Sequence, residues 1–154
     1  MFRVSRRLDY GLQLMTSLAS DPENHSQPTA ALADKLDMPL PFLHQIAHVL
    51  MQAGLIKATP GQKGGLRLSQ QPQDISVLQI VVALEGPITL SPCQECDENC
   101  PRHQNCATLA IWNDLQDSIS AHLSNIRLDM LVDKTQSVPA FPLASGYPVN
   151  LSSH

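Results

Sequence analysis

Four cysteines fall within fourteen residues of a chain that has no others: Cys93, Cys96, Cys100 and Cys106, in the run Ser91-Pro-Cys-Gln-Glu-Cys-Asp-Glu-Asn-Cys-Pro-Arg-His-Gln-Asn-Cys106. The residues between them are nearly all polar, so these thiols do not fill an apolar core. Thiols gather in this way to share a metal, an iron–sulfur cluster or disulfides. The opening Met1-Phe-Arg-Val-Ser-Arg-Arg-Leu8 has no apolar run of signal-peptide type. A cytoplasmic setting is therefore expected, and its reducing conditions favour metal or redox chemistry over disulfide staples. Zinc prefers close pairs on two knuckles, but Cys93 and Cys96 make the one such pair, with His103 as the nearby histidine. Wider spacing across one loop suits an iron–sulfur cluster held by thiolates. Spacing alone leaves cluster, zinc and redox-active thiols all open.

Charge and length narrow what surrounds this loop. The 154 residues suit one core with an appendage, and no stretch approaches the roughly 20 apolar residues of a membrane span. The net charge of −4 conceals a division. Residues 1–67 carry seven Lys/Arg against five Asp/Glu, a net of +2, and residues 68–154 carry three against nine, a net of −6. The front half therefore suits a polyanion better than the rear does. No Ser/His/Asp order, Gly-Lys-Ser/Thr loop or paired acid–base constellation stands out, so no enzyme is expected.

Hydrophobic spacing supplies the elements that would position these groups. Leu8, Leu12, Met15 and Leu18 recur at helical intervals and predict a helix from Ser5 to about Ala19. Thr29 is placed to cap a short helix through Leu36, with Leu32 and Leu36 inward. Asp37-Met-Pro-Leu-Pro41 breaks it, and Pro41 opens a helix to Ala53 whose buried stripe is Leu43, Ile46 and Leu50. Two short helices with a tight turn make a helix-turn-helix candidate. Strand-like Leu55–Thr59 and Leu66–Ser69 flank the turn Pro60-Gly-Gln-Lys-Gly-Gly65, which predicts a β-hairpin wing. Lys63 at its tip and Arg67 on its returning strand suit phosphate or minor-groove contact. Ser76 caps a helix over Val77–Glu85, which Gly86-Pro87 ends. The longest helix runs from about Ala107 to Ile126, with Ile111, Leu115, Ile119 and Leu123 along one stripe that needs burial in the monomer or against a twin.

The expected fold is mainly α with a small β-hairpin wing. A winged helix-turn-helix DNA-binding domain occupies 1–72, a connecting helix and cysteine loop 73–106, a long dimerisation helix 107–134, and a disordered tail 135–154.

The order of helix-turn-helix, wing with Lys63-Gly-Gly-Leu-Arg-Leu68, then Ile75-Ser-Val-Leu-Gln-Ile-Val-Val-Ala-Leu-Glu-Gly-Pro87, spaced cysteines and a helix ending Asn125-Ile-Arg-Leu-Asp-Met-Leu131 resembles one bacterial family. It is similar to the iron–sulfur transcriptional regulators represented by the iron–sulfur cluster regulator, the nitric-oxide-sensing repressor and the rhizobial iron regulator, over about residues 2–134. The resemblance implies a homodimeric repressor on a pseudo-palindromic double-stranded operator, controlled by a 2Fe–2S or 4Fe–4S cluster that senses iron, redox state or nitric oxide. It places the cluster on Cys93, Cys100 and Cys106, with Cys96 a bystander or alternative ligand. Leu109 stands where some members have a ligand histidine, and Asp9 aligns with a carboxylate donated by the partner subunit. Read bottom-up, Asp9 is equally a solvated helix carboxylate beside Arg6. The DNA side falls on Thr29, on Pro41, Phe42, His44, Gln45 and His48 of the recognition helix, and on Lys63 and Arg67 of the wing. Pro60 replaces the family's wing arginine, and His44 stands where some members have glutamate, which implies a different operator sequence. The rival reading is a zinc-stabilised or thiol-redox DNA-binding module without a cluster.

Overall fold

Ser5 starts the first helix, its hydroxyl accepting the Leu8 backbone N–H at 3.0 Å. Helix α1 spans Arg6–Ala19 and is followed by α2 (Thr29–Lys35), α3 (Leu40–Gln52), β1 (Ile56–Thr59) and β2 (Gly65–Leu68). After a single 3-10 turn at Pro72–Asp74 come α4 (Val77–Glu85), α5 (Ala107–Asn125) and α6 (Leu128–Val132). This computed structural model describes residues 4–61, 64–91 and 106–132. The tail expected over 135–154 lies outside the described residues.

Apolar spacing becomes one continuous core. Leu14, Met15 and Leu18 of α1 meet Leu43, Ile46 and Leu50 of α3, and Leu68 of β2, Ile80 of α4 and Leu128 of α6 join them, all fully buried. Each such side chain stabilises by about 1.5–3 kcal/mol relative to exposure. The core runs across residue 72, so α4 and α6 pack with the winged helix-turn-helix. Gly11 sits mid-helix in α1 because an added Cβ would collide with Leu84 of α4. The close approach of the two helices outweighs the roughly 1 kcal/mol that glycine costs in a helix.

The wing is an antiparallel pair with Ile56 opposite Leu68, Lys57 opposite Arg67, Ala58 opposite Leu66 and Thr59 opposite Gly65. Its second edge is also occupied. Gln27 and Leu66 exchange two backbone hydrogen bonds at 2.8 Å. Asn24, held at φ 52°, donates its Nδ2 to the Leu68 carbonyl and accepts the Leu68 N–H on its Oδ1, both at 3.0 Å. A side-chain amide thus completes what a third strand would do for an exposed edge.

Helices α4 and α5 lie side by side and antiparallel. Val77 N–H donates to the Ile126 carbonyl, and Leu128 N–H to the Ile75 carbonyl, each at 2.9 Å. With 9 and 19 residues, the two helices are about 13 and 28 Å long. The first half of α5 therefore runs about 15 Å past the end of α4. Cys106 stands at that projecting end.

Three details differ from the expectation. Pro28, not Thr29, is the N-cap of α2, and no side chain caps it; the preceding Gln27 is committed to the wing edge, so the chain enters the helix in extended geometry. Helix α3 begins at Leu40, with Pro41 still inside the first turn where its missing N–H costs nothing. Helix α6 was not foreseen, because five residues carry too little periodicity to declare themselves.

Candidate nucleic-acid interface

The second helix of the helix-turn-helix presents two faces. Leu43, Ile46, Ala47 and Leu50 are buried, while Pro41, His44, Gln45 and His48 are exposed on the opposite side. Spacings of three, one and three residues keep that second set on a single face. The turn before α3 is fixed by Asp37 at φ 48° and by buried Met38, whose N–H donates to Ala33 at 2.9 Å. Phe42 is half-buried, its ring edge-on to Tyr10 of α1 with centroids 5.6 Å apart at 79°. That contact anchors the start of α3 to α1 and leaves only part of the ring outward. Thr29 is half-buried as the first residue of α2. It lies at the root of the wing, because the Gln27–Pro28 backbone passes so close to Gly65 that a Cβ there would strike the Gln27 carbonyl.

Helix α3 contains no Lys or Arg. Its exposed groups can discriminate base edges, but the sequence-independent attraction to a polyanion has to come from elsewhere. The wing carries cations. Arg67 is half-buried on β2, and opposite it stands exposed Lys57. Lys57 was missed in the reading of the sequence, since only the hairpin register pairs it with Arg67. Lys63 lies outside the described residues.

The loop that feeds this edge is organised by Asp21. Its carboxylate accepts the N–H of Glu23 at 3.0 Å and of His25 at 2.9 Å, and its Oδ2 lies 3.0 Å from His25 Nδ1. Partial desolvation raises its pKa, but these donors more than offset that and hold the carboxyl below its usual value.

Of the cysteines, Cys106 lies among the described residues: half-buried, in the N-cap position of α5. Cys93, Cys96 and Cys100 lie outside them. The base of the loop is tied down, however. Ser5 Oγ donates to Glu85 Oε1 at 2.6 Å, joining the start of α1 to the last residue of α4. Beside this latch is a largely apolar cleft of about 530 Å³ between α1, α4 and α5, with Leu8, Leu12, Val81, Ile119 and Leu123 in its walls. Asp9 is exposed in the first turn of α1 and accepts from Gln13 Nε2 at 3.0 Å. Among the described residues no three His, Cys, Asp or Glu side chains gather closely enough to hold a metal. No helix among them is long and apolar enough to cross a membrane.

The geometry has close counterparts. The family model Rrf2, an iron-dependent transcriptional regulator, matches residues 4–134. The HTH-type transcriptional regulator IscR of Photorhabdus laumondii is 28% identical over 134 residues, covering 87% of this chain and 81% of that one. Among solved structures, CymR, the global cysteine regulator of B. subtilis, is 28% identical with a TM-score of 0.70, covering 86% of this chain and 97% of its own. T. potens IscR is 29% identical with a TM-score of 0.69, covering 91% and 95%.

Proposed function

This chain belongs to the Rrf2 family of transcriptional regulators, and we propose that within it the protein is a homodimeric repressor whose operator affinity is set by an iron–sulfur cluster in the cysteine loop. The coarser part needs no proposal: it is a winged-helix, DNA-binding regulator and not an enzyme.

The observation that carries the dimer is the projecting half of α5. Leu109 is the one buried side chain among its 19 residues. Ile111 is 63% exposed, and Trp112 and Leu115 are half-exposed. An apolar overhang of this length is covered most economically by the same surface of a second copy, in a two-fold arrangement. Such a pair presents two recognition helices to successive major-groove faces of a palindromic site. Ile111→Glu with Leu115→Glu should yield a monomer by sedimentation and abolish operator retardation. A variant that stays dimeric and binds normally contradicts the interface.

The donor set fits a cluster. Three thiolates, on Cys93, Cys100 and Cys106, are the soft ligands that iron–sulfur clusters take, and Asp9 of the partner subunit offers a weaker oxygen donor. A bound cluster would supply iron that is open to oxidants or small gases. Cys106 is at the projecting end of α5, so its ligation bears directly on the helix that forms the dimer. Serine substitution of Cys93, Cys100 or Cys106 should remove iron and sulfide, and Cys96→Ser should retain both. Loss in Cys96→Ser with retention in Cys93→Ser reverses the assignment. Asp9→Ala should speed cluster loss and alter its spectrum without unfolding the protein; an unchanged spectrum hands the fourth position to another donor.

A further inference from the structure

We propose that Lys57 and Arg67 together form a clamp for one DNA backbone phosphate on the outer face of the wing strands, a contact separate from the wing tip. The proposal rests on the reading of α3 as the recognition helix and adds the cationic grip that this helix lacks.

The register places the two residues directly opposite each other on the face away from buried Ile56, Leu66 and Leu68. Directly opposite residues have Cβ atoms about 4.5–5.5 Å apart, and two like charges there oppose pairing of the strands. No compensating acid is present: among the described residues neither cation forms an ion pair, and the His25 contacts with Asp21 and Glu23 lie elsewhere. Arg67 also has a donor to spare. Its Nε is buried, with no hydrogen-bond partner among the described residues, although buried polar groups are nearly always satisfied. A repelling pair of cations with no acid beside it among the described residues is a site that suits an anion. The guanidinium fork and the ammonium can converge on the two free oxygens of a phosphodiester.

Position selects DNA as the source of that phosphate. Only Ala53, Gly54 and Leu55 separate the end of α3 from β1, and Gly54 at φ 72° makes the sharp turn between them. The pair is therefore held at a fixed offset from the exposed His44–Gln45–His48 face. Asn24 and Gln27 brace β2 from its other edge, so the clamp stands on an ordered strand.

The test uses Lys57→Gln, Arg67→Gln and the double variant in the full chain. Dissociation constants are measured on an operator duplex and a scrambled duplex across a salt series, with thermal unfolding in the absence of DNA. Each single change should weaken both duplexes alike, by on the order of tenfold, and make the log–log salt slope shallower by about 0.9 per protomer, about 1.8 for a bound dimer. The double variant should lose less than the product of the single losses, because the phosphate is shared. Without DNA, Lys57→Gln should unfold at the same or a higher temperature than wild type, since it removes a repulsion. A wild-type affinity and slope in Lys57→Gln overturns the clamp and leaves Gln45-dependent recognition standing. Multiplicative losses overturn the sharing of one phosphate. A wild-type protein that retards no duplex overturns the clamp and the recognition-helix reading together.

Discussion

At the recognition face the side chains on offer are imidazoles and an amide, with no Lys or Arg on α3. Gln45 has the amide fork that can pair with an adenine edge, and it is exposed. Gln45→Ala should weaken binding to the cognate site by about 1–3 kcal/mol and relax preference at one base pair. Scrambled DNA should be bound as before, which separates this residue from Lys57 and Arg67 in the same titration. Asp21 governs a different response. Its carboxyl is depressed in the folded protein by the Glu23 and His25 donors. A depressed acid adds stability above its unfolded value, about 3.9, and loses it as pH falls through the folded value. The stability difference between wild type and Asp21→Ala should therefore be full at neutral pH and shrink below about pH 3.9. A constant difference from neutrality to pH 2 would deny the carboxylate this role.

Among the elements, the wing depends on residues far from it in sequence. Asn24→Ala deletes both side-chain hydrogen bonds to the Leu68 backbone. It should cost about 1–3 kcal/mol in urea unfolding and loosen amide exchange protection at Leu68. The helices and the hairpin were legible because their causes are local. Leu43, Ile46 and Leu50 mark the inner face of α3, and Ser76 with Gln79 forms a capping box that starts α4. What escaped the sequence depends on long-range geometry. Thr29 looked like a cap, but Gln27 is already paired with Leu66. The placing of Lys57 opposite Arg67 follows only from the hairpin register. The apolar stripe of α5 was visible, but only antiparallel packing on the shorter α4 shows which half extends beyond that helix. Helix α3 and its exposed face were thus readable residue by residue, whereas the DNA contacts of that face and the ligand role of the cysteines rest on spacing and resemblance, with Cys93, Cys96 and Cys100 outside the described residues.

For the molecule as a whole, α1 touches both the start of α3 and the end of α4, from which the chain leaves for the cysteine loop. Tyr10 of α1 meets Phe42 at the start of α3, and Ser5 of α1 meets Glu85 where the chain leaves for the loop. Any control of DNA affinity from the loop requires that cluster binding favour one of two arrangements of these parts. The projecting half of α5 offers such a choice, because Cys106 and the proposed dimer surface share its first turns. The central claim is therefore that the loop holds an iron–sulfur cluster, and the most direct test is the absorption spectrum of anaerobically purified protein between about 300 and 600 nm, with iron and sulfide assays on the same sample. The account predicts a coloured protein with iron and acid-labile sulfide that are lost on Cys106→Ser. A colourless protein containing zinc, or no metal, after anaerobic purification from iron-replete cells would contradict it.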